Sequence, residues 1–297
     1  MPTIRGLPVP CFSRVEQDAI AEILGSLDDK IELNRETNQT LIAVAQAIFR
    51  AWFIDFEPVR AKMAGATGFR DMPSDVFSQL PERLTGGILG DVPDGWSVTS
   101  IGELVEVVGG ATPSTSNPHF WQGGQNPFCT PKDMAKLAAP ILLDTERHIT
   151  QAGMERISSR QLPAGTVLMS SRAPIGYLAL AATPVSVNQG VIAMLAGRLP
   201  NSYMLLWAEA NMEAIKSRAG GSTFAEISKR SFRTIPAVRP DDATLRAFDI
   251  VAKPIFDLIA ENERESVTLA AIRDTMLPKL LSGEAQAGET GAGVEDT

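Results

Sequence analysis

The sequence predicts an α+β protein in which two long helices, paired as an antiparallel coiled coil, flank one mixed, β-rich domain. Three observations predict this architecture. A stretch near the amino terminus recurs near the carboxyl terminus at a constant offset of 228 residues. Both copies carry a helical heptad pattern. The residues between the copies break into short β-like runs separated by Gly, Pro, Ser and Asn.

The first copy, residues 1–62, is predicted to be a short extended stretch with prolines followed by one long helix. Its apolar and amide residues recur in alternating steps of four and three: Ile20, Leu24, Leu27, Ile31, Asn34, Asn38, Leu41, Ala45 and Ile48. This spacing is typical of a coiled-coil seam. A single amphipathic helix that faces a globular core would show a similar pattern, so the seam alone leaves both arrangements open.

Between the copies the character of the sequence changes twice. Residues 63–95 are rich in Gly, Pro and Asp, which predicts a linker with one short helix near residues 74–84. Residues 96–240 are predicted to be the β-rich domain, interrupted by one helix at about residues 202–218. The β-like runs of this domain are Val105–Val108, Thr166–Ser170, Tyr177–Ala181 and Val191–Leu195.

The second copy, residues 241–283, predicts a second long helix, and residues 284–297 are expected to be a disordered acidic tail. The second seam again places polar residues at its middle positions, which would fix the register of a helix pair. Pro254 lacks the N–H that a helix interior needs, so we expect it to kink this helix or to delay its start. The residues expected to pair the helices are Leu27, Ile31, Asn34, Leu41, Ile255, Ile259, Asn262 and Leu269.

Composition excludes several classes of protein. A chain of 297 residues with 44% hydrophobic residues can bury a sizeable core and is expected to hold about two domains. No apolar run approaches the roughly 20 residues that cross a bilayer, and the first residues lack the order of a signal peptide. We therefore expect a cytoplasmic protein without membrane association. Cys11 and Cys129 have no Cys or His at ligand spacing, so neither a disulfide nor a metal site is expected.

The formal net charge of −8 is unfavourable for binding nucleic acid, because Lys and Arg supply most of the non-specific affinity for phosphate. This charge is unevenly distributed. Residues 96–240 contain 13 Lys and Arg against 9 Asp and Glu, a net charge of +4, so the rest of the chain carries −12. A mildly basic segment between acidic flanks fits either a nucleic-acid surface or an ordinary mixed surface.

The sequence contains no recognisable catalytic motif. His119 and His148 lack Ser, Asp or Cys partners at known spacings, and we interpret them as surface or core residues. Neither a GxxxxGK[ST] loop nor a GxGxxG turn between strand and helix is present. Residues 126–128, Asn-Pro-Phe, approach an adenine-methylating tetrapeptide but lack one proline and a glycine-rich cofactor loop. We therefore predict a protein that is not itself an enzyme.

Four Gly- and Pro-rich loops of the central segment concentrate hydroxyl, amide and cationic side chains: residues 109–115, 130–133, 170–176 and 220–224. Short hydroxyls and backbone N–H groups suit phosphate oxygens, whereas Arg, Gln and Asn suit base edges. The same residue types also form ordinary turns. The loops therefore predict either a DNA-contacting surface or simple turns.

Several further stretches form a pattern that is specific in combination. They are Ala21–Asn34, Phe49–Phe53, Val92–Trp96 and Val187–Gly190, together with the four loops. Over residues 4–283 this layout resembles the DNA-specificity subunits of type I restriction-modification systems, in which a strand and a long helix precede a target-recognition domain and then recur.

The resemblance implies that residues 96–240 are a target-recognition domain that grips one half of a bipartite site on double-stranded DNA. Lys132 and Arg172 would be cationic contacts, and Gln189 would read a base. The residues expected to contact phosphate or to form turns are Thr112, Ser114, Thr115, Thr130, Ser171, Ser222 and Thr223.

The resemblance also implies partner subunits. The paired helices would act as a ruler that sets the spacing to the second half-site, and their outer faces would dock methyltransferase subunits. A restriction/translocase subunit is a further expected partner. S-adenosylmethionine, ATP and Mg²⁺ would be bound by these partners, so the chain is expected to need no cofactor of its own.

The chain departs from the family pattern in one respect. A full-length specificity subunit carries two recognition domains and two helical spacers, whereas this chain carries one recognition domain. We expect either a half-subunit, pairing with itself or with another half-specificity chain, or the downstream part of a split or truncated gene. A helical scaffold that binds the methyltransferase without recognising DNA, and an enzyme with an unrecognised site, are the alternative functions.

Overall fold

The computed structural model describes residues 12–221 and 225–284, which form two compact units. The first unit contains residues 12–38 and 261–284, and the second contains residues 39–260. Two long helices, α1 (Arg14–Phe53) and α10 (Asp242–Ser282), each contribute to both units. The extended start of the first copy and residues 285–297 of the expected tail lie outside the described residues.

Side-chain caps begin both long helices. The backbone N–H of Ser13 donates to Glu16 Oε2 at 2.7 Å, and the N–H of Glu16 donates to Ser13 Oγ at 3.3 Å. At the start of α10, the N–H of Thr244 donates to Asp241 Oδ1 at 2.9 Å. These bonds satisfy N–H groups that the first helical turn leaves without partners, so the start of each helix is encoded locally.

Pro254 does not delay the start of α10, which was one of the two effects expected of it. The helix begins at Asp242 and continues through the proline. Pro254 lies on the exposed face, whereas Ala252, Phe256 and Ile259 are buried. Most of the stability of a protein helix comes from the packing of its apolar face, so the turns on both sides sustain the helix where one hydrogen bond is missing.

In the first unit, the segments of α1 and α10 pack antiparallel, which confirms the predicted arrangement. Asp28 pairs with Arg273 at 2.7 Å, and further along α1 the side chain of Asn38 accepts a hydrogen bond from Asn262 at 2.8 Å. Partner numbers on α10 therefore fall as residue numbers on α1 rise, which is the signature of an antiparallel pair.

Buried amides occupy the middle of this helix pair. Asn34 and Asn38 are only 3% and 2% exposed. Asn34 Nδ2 donates to Ser266 Oγ at 3.2 Å and to Glu265 Oε2 at 2.8 Å, while Asn262 Nδ2 donates to Asn38 Oδ1. At the offset of 228 residues, Asn34 corresponds to Asn262 and Asn38 to Ser266. The Asn34–Ser266 and Asn262–Asn38 bonds are therefore the same contact with the two copies exchanged.

The second unit contains short strands and helices between the two long helices. In chain order the strands are β1 (Leu84–Gly87), β2 (Gly90–Pro93), β3 (Ser97–Ser100), β4 (Glu106–Gly109), β5 (Asn126–Cys129), β6 (Ile141–Leu142), β7 (His148–Ile149), β8 (Val167–Ser170), β9 (Leu178–Ala181), β10 (Ser186–Val187), β11 (Val191–Leu195) and β12 (Pro236–Arg239). The short helices are α2 (Glu57–Met63), α3 (Ser74–Gln79), α4 (Ile101–Leu104), α5 (Pro131–Met134), α6 (Gln151–Met154), α7 (Asn201–Ala210), α8 (Met212–Lys216) and α9 (Lys229–Arg233).

A five-stranded sheet in the order β4-β11-β8-β9-β6 forms the centre of the second unit. Its strands pair antiparallel except β6 and β9, which are parallel. Smaller sheets have the orders β10-β5-β7, β12-β3 and β1-β2. Strands β4, β8, β9 and β11 fall on the four β-like runs of the sequence. β8 and the first four residues of β11 are buried, as expected of strands that read as nearly continuous apolar runs.

Two local features differ from the sequence prediction. The single helix expected at residues 202–218 is divided into α7 and α8 at Asn211, which has φ −100° and donates through Nδ2 to Trp207 O at 2.8 Å. Such a bond from an amide side chain to the backbone competes with the helical ladder. The segment expected to be a linker contains the β1–β2 hairpin in addition to a short helix, and Gly90 supplies its positive φ of 87°.

An aromatic cluster joins α1, α7 and α10 in the core of the second unit. The ring of Phe53 lies 4.9 Å from that of Tyr203 and 5.0 Å from that of Phe248, both edge-on. The Tyr203 hydroxyl donates to Val238 O at 3.0 Å, and complete burial raises the pKa of this phenol. Of the predicted seam residues in this unit, Ile259 is buried in the core, and Leu41 and Ile255 pack against it.

The other apolar residues that were expected to pair the helices lie in the first unit. Leu27, Ile31 and Leu269 are each partly buried there, beside the amides of Asn34 and Asn262.

Candidate nucleic-acid interface

Four strands of the second unit end close together. Strands β4 and β8 both pair antiparallel with β11, so they run parallel to each other and end where β11 begins. Strand β10 runs parallel to β5, and residues 188–190 connect β10 directly to β11. The carboxyl ends of β4, β5, β8 and β10 therefore gather around residues 188–190.

Backbone hydrogen bonds hold this connection against two neighbouring strand ends. The N–H of Asn188 donates to Cys129 O at 3.0 Å, and the N–H of Ser171 donates to Gly190 O at 2.8 Å. Asn188 Oδ1 also accepts from the N–H of Gly190 at 2.9 Å, which closes a tight turn. The four loops that meet here are called the loop edge: residues 110–115, 130–132, 171–176 and 188–190.

Two glycines allow the loops to approach one another this closely. A Cβ added to Gly110 would lie 1.6 Å from Val187 O, so no other residue fits there without moving the backbone. A Cβ added to Gly190 would lie 3.2 Å from both Arg172 Nε and Pro131 Cγ. The close spacing of the loops therefore depends on backbone without side chains at these two points.

Thr112 and Gln189 face each other across the loop edge. Both side chains are exposed, and Thr112 Oγ1 donates to Gln189 Oε1 at 2.7 Å. This bond orients the amide. Among the described residues, it leaves the two N–H donors of Gln189 Nε2 and one lone pair of Oε1 for another molecule. An exposed amide with both functions available can form the bidentate contact that reads adenine.

Arg172 extends from the loop that follows β8. Its Nη1 lies 3.7 Å from Glu226 Oε2, and both side chains are partly exposed. Ser170, which is fully buried, shapes this loop because its Oγ donates to Pro174 O at 2.8 Å and accepts from the N–H of Tyr177 at 2.8 Å. Ser171 is 3% exposed, which favours a structural role for that residue.

Lys132 lies in the first turn of α5, directly after β5, where it shares a carboxylate with a second lysine. Glu146 Oε2 is 2.6 Å from Lys136 Nζ and 3.1 Å from Lys132 Nζ. Hydrogen bonds from Lys136 and Lys132 lower the pKa of Glu146. Thr130 Oγ1 donates to the buried Asp133 carboxylate at 2.6 Å, so this hydroxyl stabilises the first turn of α5.

Residues 93–241, half of the chain, match the family model for the type I restriction modification DNA specificity domain. The chain belongs to this family. Membership supports a role in DNA sequence specificity, and the loop edge lies inside the matched residues of the specificity domain.

Two curated relatives carry the same assignment in their names. The chain is 28% identical over 309 residues to the type I restriction enzyme HindI specificity subunit of Haemophilus influenzae, a match that covers 90% of this chain and 67% of that protein. It is 34% identical over 187 residues to the type I restriction enzyme MjaIX specificity subunit of Methanocaldococcus jannaschii, covering 62% of this chain and 43% of the relative. The matched regions thus span about two thirds of the first relative's length and less than half of the second.

A solved structure shows that the fold is shared. The crystal structure of the S subunit of a type I restriction-modification system from M. genitalium aligns with 91% of this chain at a TM-score of 0.57 and 15% identity. The alignment covers 61% of that chain.

The other predicted contacts of the specificity domain are more scattered. Ser114 and Thr115 are exposed at the far end of their loop, where Ser114 Oγ lies 3.0 Å from Ser116 Oγ. In the described part of the chain, no hydrogen bond joins Ser114 or Thr115 to the other loops of the loop edge. Ser222 and Thr223 lie outside the described residues.

Sequence reasoning missed one cation of the specificity domain that lies against an aromatic ring. The Arg147 guanidinium carbon lies 3.7 Å from the ring centroid of Trp121, and that ring contacts Phe128 edge-on at 5.1 Å. A guanidinium stacked on an aromatic face is stabilised by the ring quadrupole. No sequence spacing signals such a pair, because its members come from different loops.

Within residues 12–221 and 225–284, no group of three or more His, Cys, Asp or Glu side chains is arranged to hold a metal ion. His148 Nε2 lies 2.8 Å from Asp144 Oδ1, and His119 lines an open cavity of about 590 Å³.

No helix in the same part of the chain is long and apolar enough to cross a membrane.

Proposed function

We propose that this chain is the non-catalytic specificity subunit of a type I restriction-modification complex and that its loop edge reads one half of a bipartite DNA site. The observation that carries this proposal is the convergence of four strand ends on residues 188–190. Loops rich in hydroxyls, amides and cations thereby form one surface inside a domain of a DNA-specificity family.

The chemistry of the loop edge suits direct reading of bases. Gln189 presents a free amide face and Arg172 a guanidinium, which are the side chains favoured for adenine and guanine in the major groove. Each good bidentate contact discriminates against a wrong base by about 1 to 3 kcal/mol. Backbone N–H groups and the lysine of the β5 loop would add phosphate contacts that fix the position of the domain on the duplex.

The helix pair is proposed to set the distance between half-sites and to dock a methyltransferase subunit on its outer faces. A second copy of this chain, or another half-specificity chain, would supply the second recognition domain. S-adenosylmethionine, ATP and Mg²⁺ would then be bound by the methyltransferase and restriction subunits. The acidic flanks of the sequence suit this division, because they would face protein rather than phosphate.

A helical scaffold that binds the methyltransferase without recognising DNA is the second candidate. The ion pairs of Lys132 with Glu146 and of Arg172 with Glu226 favour it, because each carboxylate neutralises a cation that DNA would need. A scaffold would co-purify with a methyltransferase without directing it to particular sequences.

Mapping of methylation separates these functions. The chain is co-purified with its candidate methyltransferase, the mass of the complex is determined, and adenine methylation is mapped on random-sequence DNA. A palindromic bipartite site with two copies of the chain supports a self-pairing specificity subunit, whereas an asymmetric site indicates a different second recognition domain. Methylation without sequence preference, or none at all, supports the scaffold.

A matched pair of variants ties the mapped site to the loop edge. Gln189→Ala is expected to alter the preference at one base pair. Gln125→Ala removes an exposed amide immediately before β5, at the end opposite to the loop edge, and is expected to leave the preference unchanged.

A further inference from the structure

Helix α9 lies against β4 with its first residue at the loop edge. The guanidinium of Arg233, in the last position of α9, donates to Val107 O in the middle of β4. One turn earlier, Lys229 covers the end of the strand: a Cβ added to Gly109 would lie 3.1 Å from Lys229 Cδ and 3.3 Å from Lys229 Nζ. The ammonium group of Lys229 therefore lies where β4 passes into the loop that carries Thr112.

The chain that leads into α9 runs along the same edge. The N–H of Ile227 donates to Ser171 O at 3.0 Å, and Glu226 forms a backbone bridge with Arg172. Residues 226–230 therefore pass from the loop of Arg172 to the loop that begins after Gly109.

Lys229 and Arg230 differ in charge environment from the two cations that the sequence pattern favours. Both side chains are exposed, and in the part of the chain that the structure describes no carboxylate lies within 4.0 Å of either cation. Lys132 and Arg172, by contrast, are already paired with Glu146 and Glu226. Beside the loop edge, Lys229 and Arg230 are therefore two cations that lack a carboxylate partner among the described residues, whereas the loop edge's own Lys132 and Arg172 are paired.

We propose that Lys229 binds a phosphodiester and anchors the DNA backbone beside Gly109, with Arg230, the next residue of the chain and also exposed, as a second cation. This assignment rests on the proposed function and deepens it, because it assigns binding of the DNA backbone and recognition of the bases to different residues. Lys229 and Arg230 supply affinity that does not depend on sequence, while Gln189 and Arg172 supply discrimination.

The salt dependence of DNA binding tests this site directly. Binding of the full chain, alone and with its methyltransferase partner, is measured on a random-sequence duplex and on the methylated site over a range of salt concentrations. Lys229→Gln keeps the aliphatic stem that covers Gly109 and removes the charge. It is expected to weaken binding on both duplexes by the same factor and to reduce the slope of log K against log salt by about 0.9 for one lost phosphate contact on B-DNA.

Three further variants complete the experiment. Arg230→Gln added to Lys229→Gln is expected to reduce the slope again, and Lys229→Arg is expected to restore it. Arg83→Gln, which removes an exposed, ion-paired cation outside the long helices and the specificity domain, is the matched control. An unchanged slope in Lys229→Gln, or a loss confined to the methylated site, overturns the phosphate assignment while the proposed function stands. A wild-type chain that binds neither duplex, alone or with the methyltransferase, overturns both.

Discussion

Thr112 and Gln189, which lie on different loops, are joined by a hydrogen bond of 2.7 Å from the threonine hydroxyl to the glutamine Oε1. The bond decides which way an exposed amide points. Gln189 can therefore present its donors to a ligand without first losing rotational freedom, and we propose that the Thr112 hydroxyl positions this amide for base recognition.

Replacing Thr112 by valine tests this positioning. Thr112→Val keeps the branched shape but removes the donor, so the Gln189 amide is no longer oriented. We expect a loss of about 1 to 3 kcal/mol of discrimination at one base pair, with little change in binding to random DNA. Competition binding on duplexes with single-base changes measures this effect.

Thr112→Ser is the control, because it retains the hydroxyl and should retain discrimination. In the double variant with Gln189→Ala, the two losses should not add, because both remove the same contact. Additive losses would contradict the positioning role.

Arg172 is predicted to read a base rather than to serve only as a positive charge. Arg172→Lys retains the charge but loses the planar fork of donors, so it should lose discrimination by about 1 to 3 kcal/mol, nearly as much as Arg172→Ala. Methylation rates on cognate and single-base variant sites measure the loss. Full discrimination in Arg172→Ala would refute the assignment.

The buried amides are predicted to stabilise the helix pair. Asn34→Ala removes the donor to Ser266 Oγ and one of the two donors to Glu265 Oε2, the other being Lys30, and should lower the free energy of unfolding by about 1 to 3 kcal/mol. Because the contact recurs when the copies are exchanged, Asn262→Ala should cost a comparable amount. Urea unfolding followed by circular dichroism gives both values.

Gln39→Ala, an exposed change on the same helix, is the control for these variants and should stay within about 0.5 kcal/mol of wild type. If Asn34→Ala lowers the free energy of unfolding no more than Gln39→Ala does, the amides do not stabilise the helix pair.

Glu146 is predicted to titrate below its ordinary pKa of 4.5, because Lys136 and Lys132 donate hydrogen bonds to its carboxylate. A lowered pKa in the folded protein means that the stabilising effect of the ion pair is present above the ordinary value and is lost as the pH falls through the folded-state pKa. A carboxyl NMR titration should show a low midpoint that rises in Lys136→Ala.

Glu209 provides an internal control for this titration. Burial raises the pKa of Glu209 above 4.5, partly offset by a hydrogen bond from Gln46. Its midpoint should lie on the opposite side of 4.5 and should not respond to Lys136→Ala. If the titration midpoint of Glu146 is the same in Lys136→Ala as in the wild type, the ion pair is contradicted.

The parts of the fold that the sequence predicted are those governed by local pattern. Strands β8 and β11 are apolar runs bounded by turn residues, and α1 and α10 carry heptad seams, so their periodicity indicates their conformation directly. The strands β10 and β7, two residues each, carry no such signal. Their pairing with β5 depends on distant chain segments.

The same limit applies to the candidate site. Gly110, Asn188 and Gly190 belong to turn motifs that can be read in one short window. That Gln189 meets Thr112, and that Arg172 meets Glu226, follows only from the order of strands in the sheet. Lys229 was missed for this reason, because its position over Gly109 is set by the packing of α9 on β4.

The exchangeable contacts of Asn34 and Asn262 have a consequence for how molecules associate. Each helical copy presents an amide at the equivalent position, Asn34 or Asn262, followed by a second polar group, Asn38 or Ser266. The packing surfaces therefore offer similar contacts to a neighbour on the same chain and to one on another molecule. Intramolecular closure is then favoured by effective concentration rather than by better contacts. At high protein concentration, domain swapping through these helices becomes the competing state.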